Sequence, residues 1–160
     1  MKRQTLKFDD CVIESILVDN IIYLKTSGIY TDNAAIKMTK YLDDVFSQIP
    51  SPPIRIWDST DLPSECFKLS KECVKKIVDW SNKIKIMKPG SQSYFIAPKP
   101  LIFGVSRMYE LQASDDKMDV KVLRKMDELP KKIREKIPYS RNGIASWLNE
   151  YNTDLIDMNL

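Results

Sequence analysis

With 160 residues, 43% hydrophobic and 29% charged, the chain has the composition of one globular domain that buries a sizeable core without disulfide or metal staples. A formal net charge of +3 is too small to mark a nucleic-acid footprint, and no apolar run approaches membrane-spanning length, so the expected location is the cytoplasm. The absence of histidine removes triads with a histidine base, the Cys–His pair, the usual mononuclear zinc sites and the histidine pH switch.

Cys11 to Leu17 and Ile21 to Lys25 are β-rich runs joined near Val18-Asp19-Asn20, where Asp and Asn tolerate the left-handed backbone of a tight hairpin. Thr31 or Asp32 caps the helix that follows, with Ala35, Met38, Leu42, Val45 and Ile49 as its apolar stripe. Pro50, Pro52 and Pro53 end it, and Ile54 to Trp57 is a short strand punctuated by Arg55 that stops at the polar turn Asp58-Ser59-Thr60-Asp61. Pro63 and Ser64 announce a long helix whose buried face is Cys66, Leu69, Cys73, Ile77, Trp80 and Ile84. On such a helix Cys66 and Cys73 lie about 10 Å apart, too far for a disulfide. With Cys11 they make an odd set that reads as core thiols.

Pro89-Gly90-Ser91 ends that helix, and Tyr94 to Ala97 is a strand stopped by Pro98-Lys99-Pro100. Leu101, Val105, Met108 and Gln112 then recur at helical spacing, and Val120 to Val122 forms a strand that a right-handed crossover sets parallel to the previous one. Met126, Leu129 and Ile133 mark a short amphipathic helix interrupted by Pro130. The organisation expected is a domain over residues 1–138 and an extension over 139–160, read as a docked helix carrying Ile144, Trp147, Leu148, Tyr151 and Leu155 or, alternatively, as a partner-dependent tail.

The order of elements, the Ile54-Arg-Ile-Trp-Asp58 strand with its acidic turn, and the segment from Phe95 to Tyr109 followed by Val120-Lys-Val122 resemble the SpoIIAA-like proteins of the STAS fold. That fold serves anti-sigma-factor antagonists and sulfate-transporter tails, and is similar in shape to the CRAL-TRIO lipid carriers. The resemblance spans about Cys11 to Ile133 and implies a single α/β domain: a mixed sheet opening with an antiparallel hairpin, helices packed on it, and a helical extension.

The resemblance also puts Ser59, Thr60 and Ser64 in the neighbourhood where antagonists carry a phosphorylatable serine, at a helix N-terminus that favours phosphate, and the surface from Asp58 to Asp61 with the helix from Ser64 is the expected contact with another protein. Here Asp61-Leu-Pro-Ser64 stands in place of the Asp-Ser-Ser-Gly motif, and helix capping by Ser64 competes with that role. Asp58 lacks the acidic pair of a receiver phosphoacceptor and reads as turn-forming.

Phe67, Trp80, Phe95, Phe103, Met108 and Tyr109 fall on or beside the two helices covering the sheet; they are either ordinary core or the lining of a non-polar pocket. Gly104 belongs to the helix face packed on the sheet or a ligand, and Arg107 could hold an anionic group there or pair with Glu110. Basic residues outnumber acidic ones from Lys121 to Arg141, and Lys131, Lys132, Arg134 and Lys136 form either a solvated face or a contact with an anionic membrane surface.

The function expected is a non-enzymatic STAS-like regulatory or interaction module, phosphorylation-sensitive, whose partner is another protein such as a regulator or kinase, or a second copy in a homodimer. The alternative is a small carrier or sensor of a non-polar ligand at the membrane surface. No catalytic residue, cofactor, metal or nucleic-acid partner is expected, because no nucleophile with a base, phosphate-binding glycine loop or metal cluster is visible.

Overall fold

Two-residue turns at Asp9-Asp10 and Asp19-Asn20 join three antiparallel strands, β1 (Lys2–Phe8), β2 (Cys11–Val18) and β3 (Ile21–Gly28). Asp9 and Asp19 carry positive φ of 50° and 52°, the left-handed conformation that Asp tolerates in such turns. The computed structural model describes residues 1–137 and 154–157.

The sheet starts one strand before the expected hairpin, at β1. Its sequence KRQTLKF is rich in long polar side chains and hides the period of two, yet Leu6 and Phe8 are buried. Next come β4 (Tyr30–Thr31), α1 (Asp32–Ser47) and β5 (Ile54–Asp58), followed by a 3-10 turn (Ser64–Cys66), β6 (Phe67–Lys68), α2 (Lys71–Met87) and β7 (Ser91–Ile96). Then α3 (Pro100–Ala113), β8 (Met118–Leu123), a 3-10 turn (Met126–Glu128), α4 (Lys131–Arg134) and β9 (Asp154–Asp157) complete the described elements.

One sheet runs β8-β7-β5-β3-β2-β1-β9, and β4 pairs with β6 in a separate ribbon. The strands β5, β7 and β8 are added to β3 in one direction, each parallel to the last, so right-handed crossovers set α1, α2 and α3 on one face. Met38, Leu42 and Phe46 of α1, Cys73 and Ile84 of α2, and Ile102 and Tyr109 of α3 accordingly share a core with Leu24, Trp57 and Val120. The alternate residues Tyr23, Ile56, Tyr94 and Ile96 point the other way and are covered by Met126, Leu129, Ile133 and Ile137.

The expected helix start at Ser64 is corrected. Ser64 opens only the 3-10 turn, and α2 begins after Ser70, whose Oγ accepts from the Cys73 amide at 3.1 Å. Each serine has an acidic residue next in the first turn, Glu65 or Glu72, but only at Ser70 is a side-chain cap made, with Asp32 holding the serine in place. Cys66 and Leu69 thus precede the helix, and all three cysteines are free.

The α3 helix is turned from the expected face. Ile102, Ser106, Tyr109 and Ala113 are buried, while Leu101, Met108 and Leu111 are exposed. Apolar residues occur around this helix, so spacing alone did not orient it. Gly104 faces outward as well, with no atom within 4 Å of a Cβ placed there. It has no close neighbour that needs its small size. Gly104→Ala should therefore stabilise the protein by about 1 kcal/mol through helix propensity, read as a raised urea midpoint.

Of the helix expected within 139–160, Ile144, Trp147, Leu148 and Tyr151 lie outside the described residues. Leu155 falls in β9, which pairs parallel with β1 from Gln4↔Asp154 to Lys7↔Asp157. The backbone groups on that side of β1 offer a ready template for another strand.

Candidate ligand pocket between the helices and the sheet

Alternation along β5 aims Arg55 and Trp57 at the helix face, beside Leu24 of β3 and Phe95 of β7. The short β4–β6 pair, Tyr30↔Phe67 and Thr31↔Lys68, folds the segment after β5 back against the start of α1. Asp32 secures it: its carboxylate accepts from the Ser70 amide at 2.8 Å and from Ser70 Oγ at 2.6 Å. Burial opposes the Asp32 charge, but those bonds outweigh it and hold the carboxyl below its ordinary range.

These elements line up an aromatic arc. Ring centroids lie 6.3 Å apart for Phe67 and Tyr30, 5.5 Å for Tyr30 and Trp57, 5.9 Å for Trp57 and Phe95, and 5.1 Å for Phe95 and Tyr109. Under the arc is a pocket of about 70 Å³, bounded also by Met38 and Leu42 of α1, Val74 and Ile77 of α2 and Val105 of α3. A water needs roughly 10–15 Å³ on this measure, so the pocket holds a group of roughly half a dozen heavy atoms.

Polar groups on the wall are few. Trp57 Nε1 donates to Thr26 Oγ1 at 2.8 Å. Arg55 Nη2 donates to Tyr109 Oη at 3.0 Å, and that hydroxyl also shares a hydrogen bond with Ser81 Oγ. Burial pushes the Tyr30 phenol up, so it stays protonated at neutral pH.

Of the residues expected to line a pocket, Phe67, Phe95 and Tyr109 do so. Trp80 instead borders a second hollow of about 10 Å³, stacks on Phe46 and donates to Asp43 at 2.6 Å. Phe103 lies under Arg124, whose guanidinium is 3.6 Å from the ring centroid. Gly104, Arg107 and Met108 are on the outward face, and Arg107 pairs with Glu110. The same turn of α3 displaces all three: once Tyr109 faces the sheet, its neighbours at 104, 107 and 108 cannot.

Tyr30, Trp57 and Arg55 also line the site, beyond the residues expected from sequence. Arg55 was the legible one, because a charge in a central apolar strand is the informative exception.

The acidic turn after β5 is built inward. Asp58 is 4% exposed and accepts from Tyr23 Oη, the Thr60 amide and Thr60 Oγ1. Ser59 is fully buried, its Oγ donating to the Ile96 carbonyl at 2.8 Å. The carboxylate and this hydroxyl therefore hold the turn together. Thr60 is exposed and Ser64 half-buried, while Asp61 pairs with Lys25 at 3.0 Å.

Three of the four cations of the basic segment have partners on the protein. Lys131 lies 3.6 Å from Glu135, Lys136 lies 3.2 Å from Asp19, and Arg134 donates to the Asp127 carbonyl at 3.0 Å. Lys132 is exposed. No described helix is long and apolar enough to cross a membrane. Burial pushes the Cys11 thiol up to about 12 and the Cys73 thiol up to about 11, so neither supplies a thiolate nucleophile near neutral pH.

A mixed sheet covered on one face by three helices, with an aromatic pocket between the layers, defines a mixed α/β domain. The chain is similar to a solved protein of the DUF3478 family with a SpoIIAA-like fold, from Shewanella loihica PV-4 and itself uncharacterized, at 15% identity and a TM-score of 0.49. The match covers 76% of this chain and 92% of that one. No protein-family profile and no curated protein matches the chain.

Proposed function

We propose that this domain is a non-enzymatic module that binds a small, largely apolar molecule beneath the Phe67–Tyr30–Trp57–Phe95–Tyr109 arc. The observation that carries the reading is the pocket of about 70 Å³ enclosed by these rings and α1, α2 and α3. Concave, mostly apolar sites with a few fixed polar groups are the usual form of small-molecule sites. The chemistry on its wall is that of binding: one guanidinium, which donates to the Tyr109 hydroxyl, and no thiol or carboxylate among the lining residues.

A regulatory role follows from where the wall comes from. Phe67 and Leu69 belong to the segment joining β5 to α2, which also carries Thr60 and Ser64. An occupant touching Phe67 and Leu69 stabilises one arrangement of that segment, and a protein partner reading its outer surface senses occupancy.

The test is native mass spectrometry of freshly purified protein, joined to thermal-shift screening of small apolar compounds. Wild type should carry a low-mass adduct or gain several degrees with some of the compounds. Val105→Phe, which fills the pocket from α3, should abolish both while remaining folded. An empty wild-type protein that no compound stabilises sinks the reading.

A further inference from the structure

Arg55 is the feature the apolar pocket does not explain. It is 7% exposed, in β5 between β3 and β7, and is the only charged residue lining the pocket among the described residues. Arginine stays protonated in proteins and carries more N–H donors than one acceptor can satisfy. One donor reaches Tyr109 Oη at 3.0 Å. Among the described residues no carboxylate lies within ion-pair distance of it.

The surrounding rings supply partial compensation. The guanidinium carbon is 5.2 Å from the centroids of Trp80 and Phe95 and 5.9 Å from that of Tyr109, within the range of cation–π attraction. The hollow of about 10 Å³ on its other side has room for a single water. Neither supplies a counter-charge, and a buried charge without one is costly. The structure keeps that charge at the wall of the pocket.

We propose that Arg55 receives the carboxylate of a small organic acid whose short apolar body lies under the aromatic arc. This rests on the pocket being a binding site and adds the chemical class of its ligand. The guanidinium fork matches a carboxylate, and the low local dielectric strengthens the pair. A single negative charge suits the site: a dianionic phosphate would bring a second charge with no second cation on the wall. Size limits the body to roughly half a dozen heavy atoms, as in hexanoate or a benzoate-like ring.

The experiment uses the wild-type protein and three probes of one shape, hexanoate, hexan-1-ol and hexylammonium, titrated by calorimetry or by amide NMR shifts. Hexanoate should bind about tenfold or more tighter than hexanol, the gain expected of a charge-assisted hydrogen-bonded pair, and hexylammonium should bind weakest. In Arg55→Met the preference for hexanoate over hexanol should vanish while hexanol binding changes less than about twofold. Equal binding of hexanoate and hexanol by wild type overturns the assignment to Arg55 and leaves the apolar pocket standing. Tighter binding of hexylammonium also overturns it. Failure of all three probes to bind removes the pocket reading and this assignment together. The three-probe comparison decides without any variant, so an unfolded Arg55→Met leaves it intact.

Discussion

Gly28→Ala should destabilise the protein by about 3 kcal/mol or more, at the top of the range for strained backbone positions. Gly28 ends β3 opposite Cys11, with φ of +79°. A Cβ there would lie 2.1 Å from the Asp10 carbonyl oxygen and 3.3 Å from Cys11 Cα. The Asp10 carbonyl also accepts from the Ile29 amide at 3.0 Å, so it cannot retreat without breaking the bond that closes the strand end. Left-handed backbone strain and steric overlap therefore act together. Urea unfolding gives the measurement; a loss below about 1 kcal/mol would mean that the turn after β1 yields easily. With Gly104→Ala expected to stabilise, the same substitution has opposite signs at two glycines of one chain. The difference lies in φ and in what a methyl group meets.

The second large effect is at Asp58. Asp58→Ala should cost about 3–5 kcal/mol, the range for stripping a buried charged group from its partners. Its carboxylate takes bonds from Tyr23 Oη, the Thr60 amide and Thr60 Oγ1. Removal leaves a phenol buried without this acceptor and frees the turn that Ser59 otherwise pins to Ile96. Thr60→Ala, which deletes only one of those donors, should cost about 1 kcal/mol. Guanidinium unfolding of the pair checks this, and a similar loss for both variants would show that the carboxylate adds little beyond the threonine contact.

The carboxylate separates two roles that look alike in the linear chain. A strand ending Trp-Asp-Ser-Thr-Asp suggests an exposed acidic turn ready for a partner or a phosphate. In the fold, Tyr23 lies two strand residues from Lys25, the register partner of Asp58, on the same face as Asp58. The turn is drawn inward by that tyrosine, which comes from 35 residues away. Nothing local to Asp58 announces it.

The pocket shows the same limit. Phe95 and Tyr109 were legible because a strand and a helix with clear boundaries carry them, and Phe67 because aromatic residues beside a buried element are good lining. Phe103, Gly104, Arg107 and Met108 were misplaced together, since α3 is apolar on two sides and a rotation of one position exchanges the sets. Tyr30 reaches the site through a two-residue pairing with Phe67, too short to leave a period in the sequence.

By itself the sequence determined that this is one α/β architecture with an antiparallel entry, parallel strands joined by helices and no histidine chemistry, because turn residues, caps and hydrophobic period are local properties. Tertiary structure alone decided that α2 starts at Ser70, that α3 turns Tyr109 inward and Gly104 outward, and that Arg55 ends among rings at a pocket wall. Those outcomes depend on which neighbour fills the space beside each side chain, and that neighbour comes from distant parts of the chain.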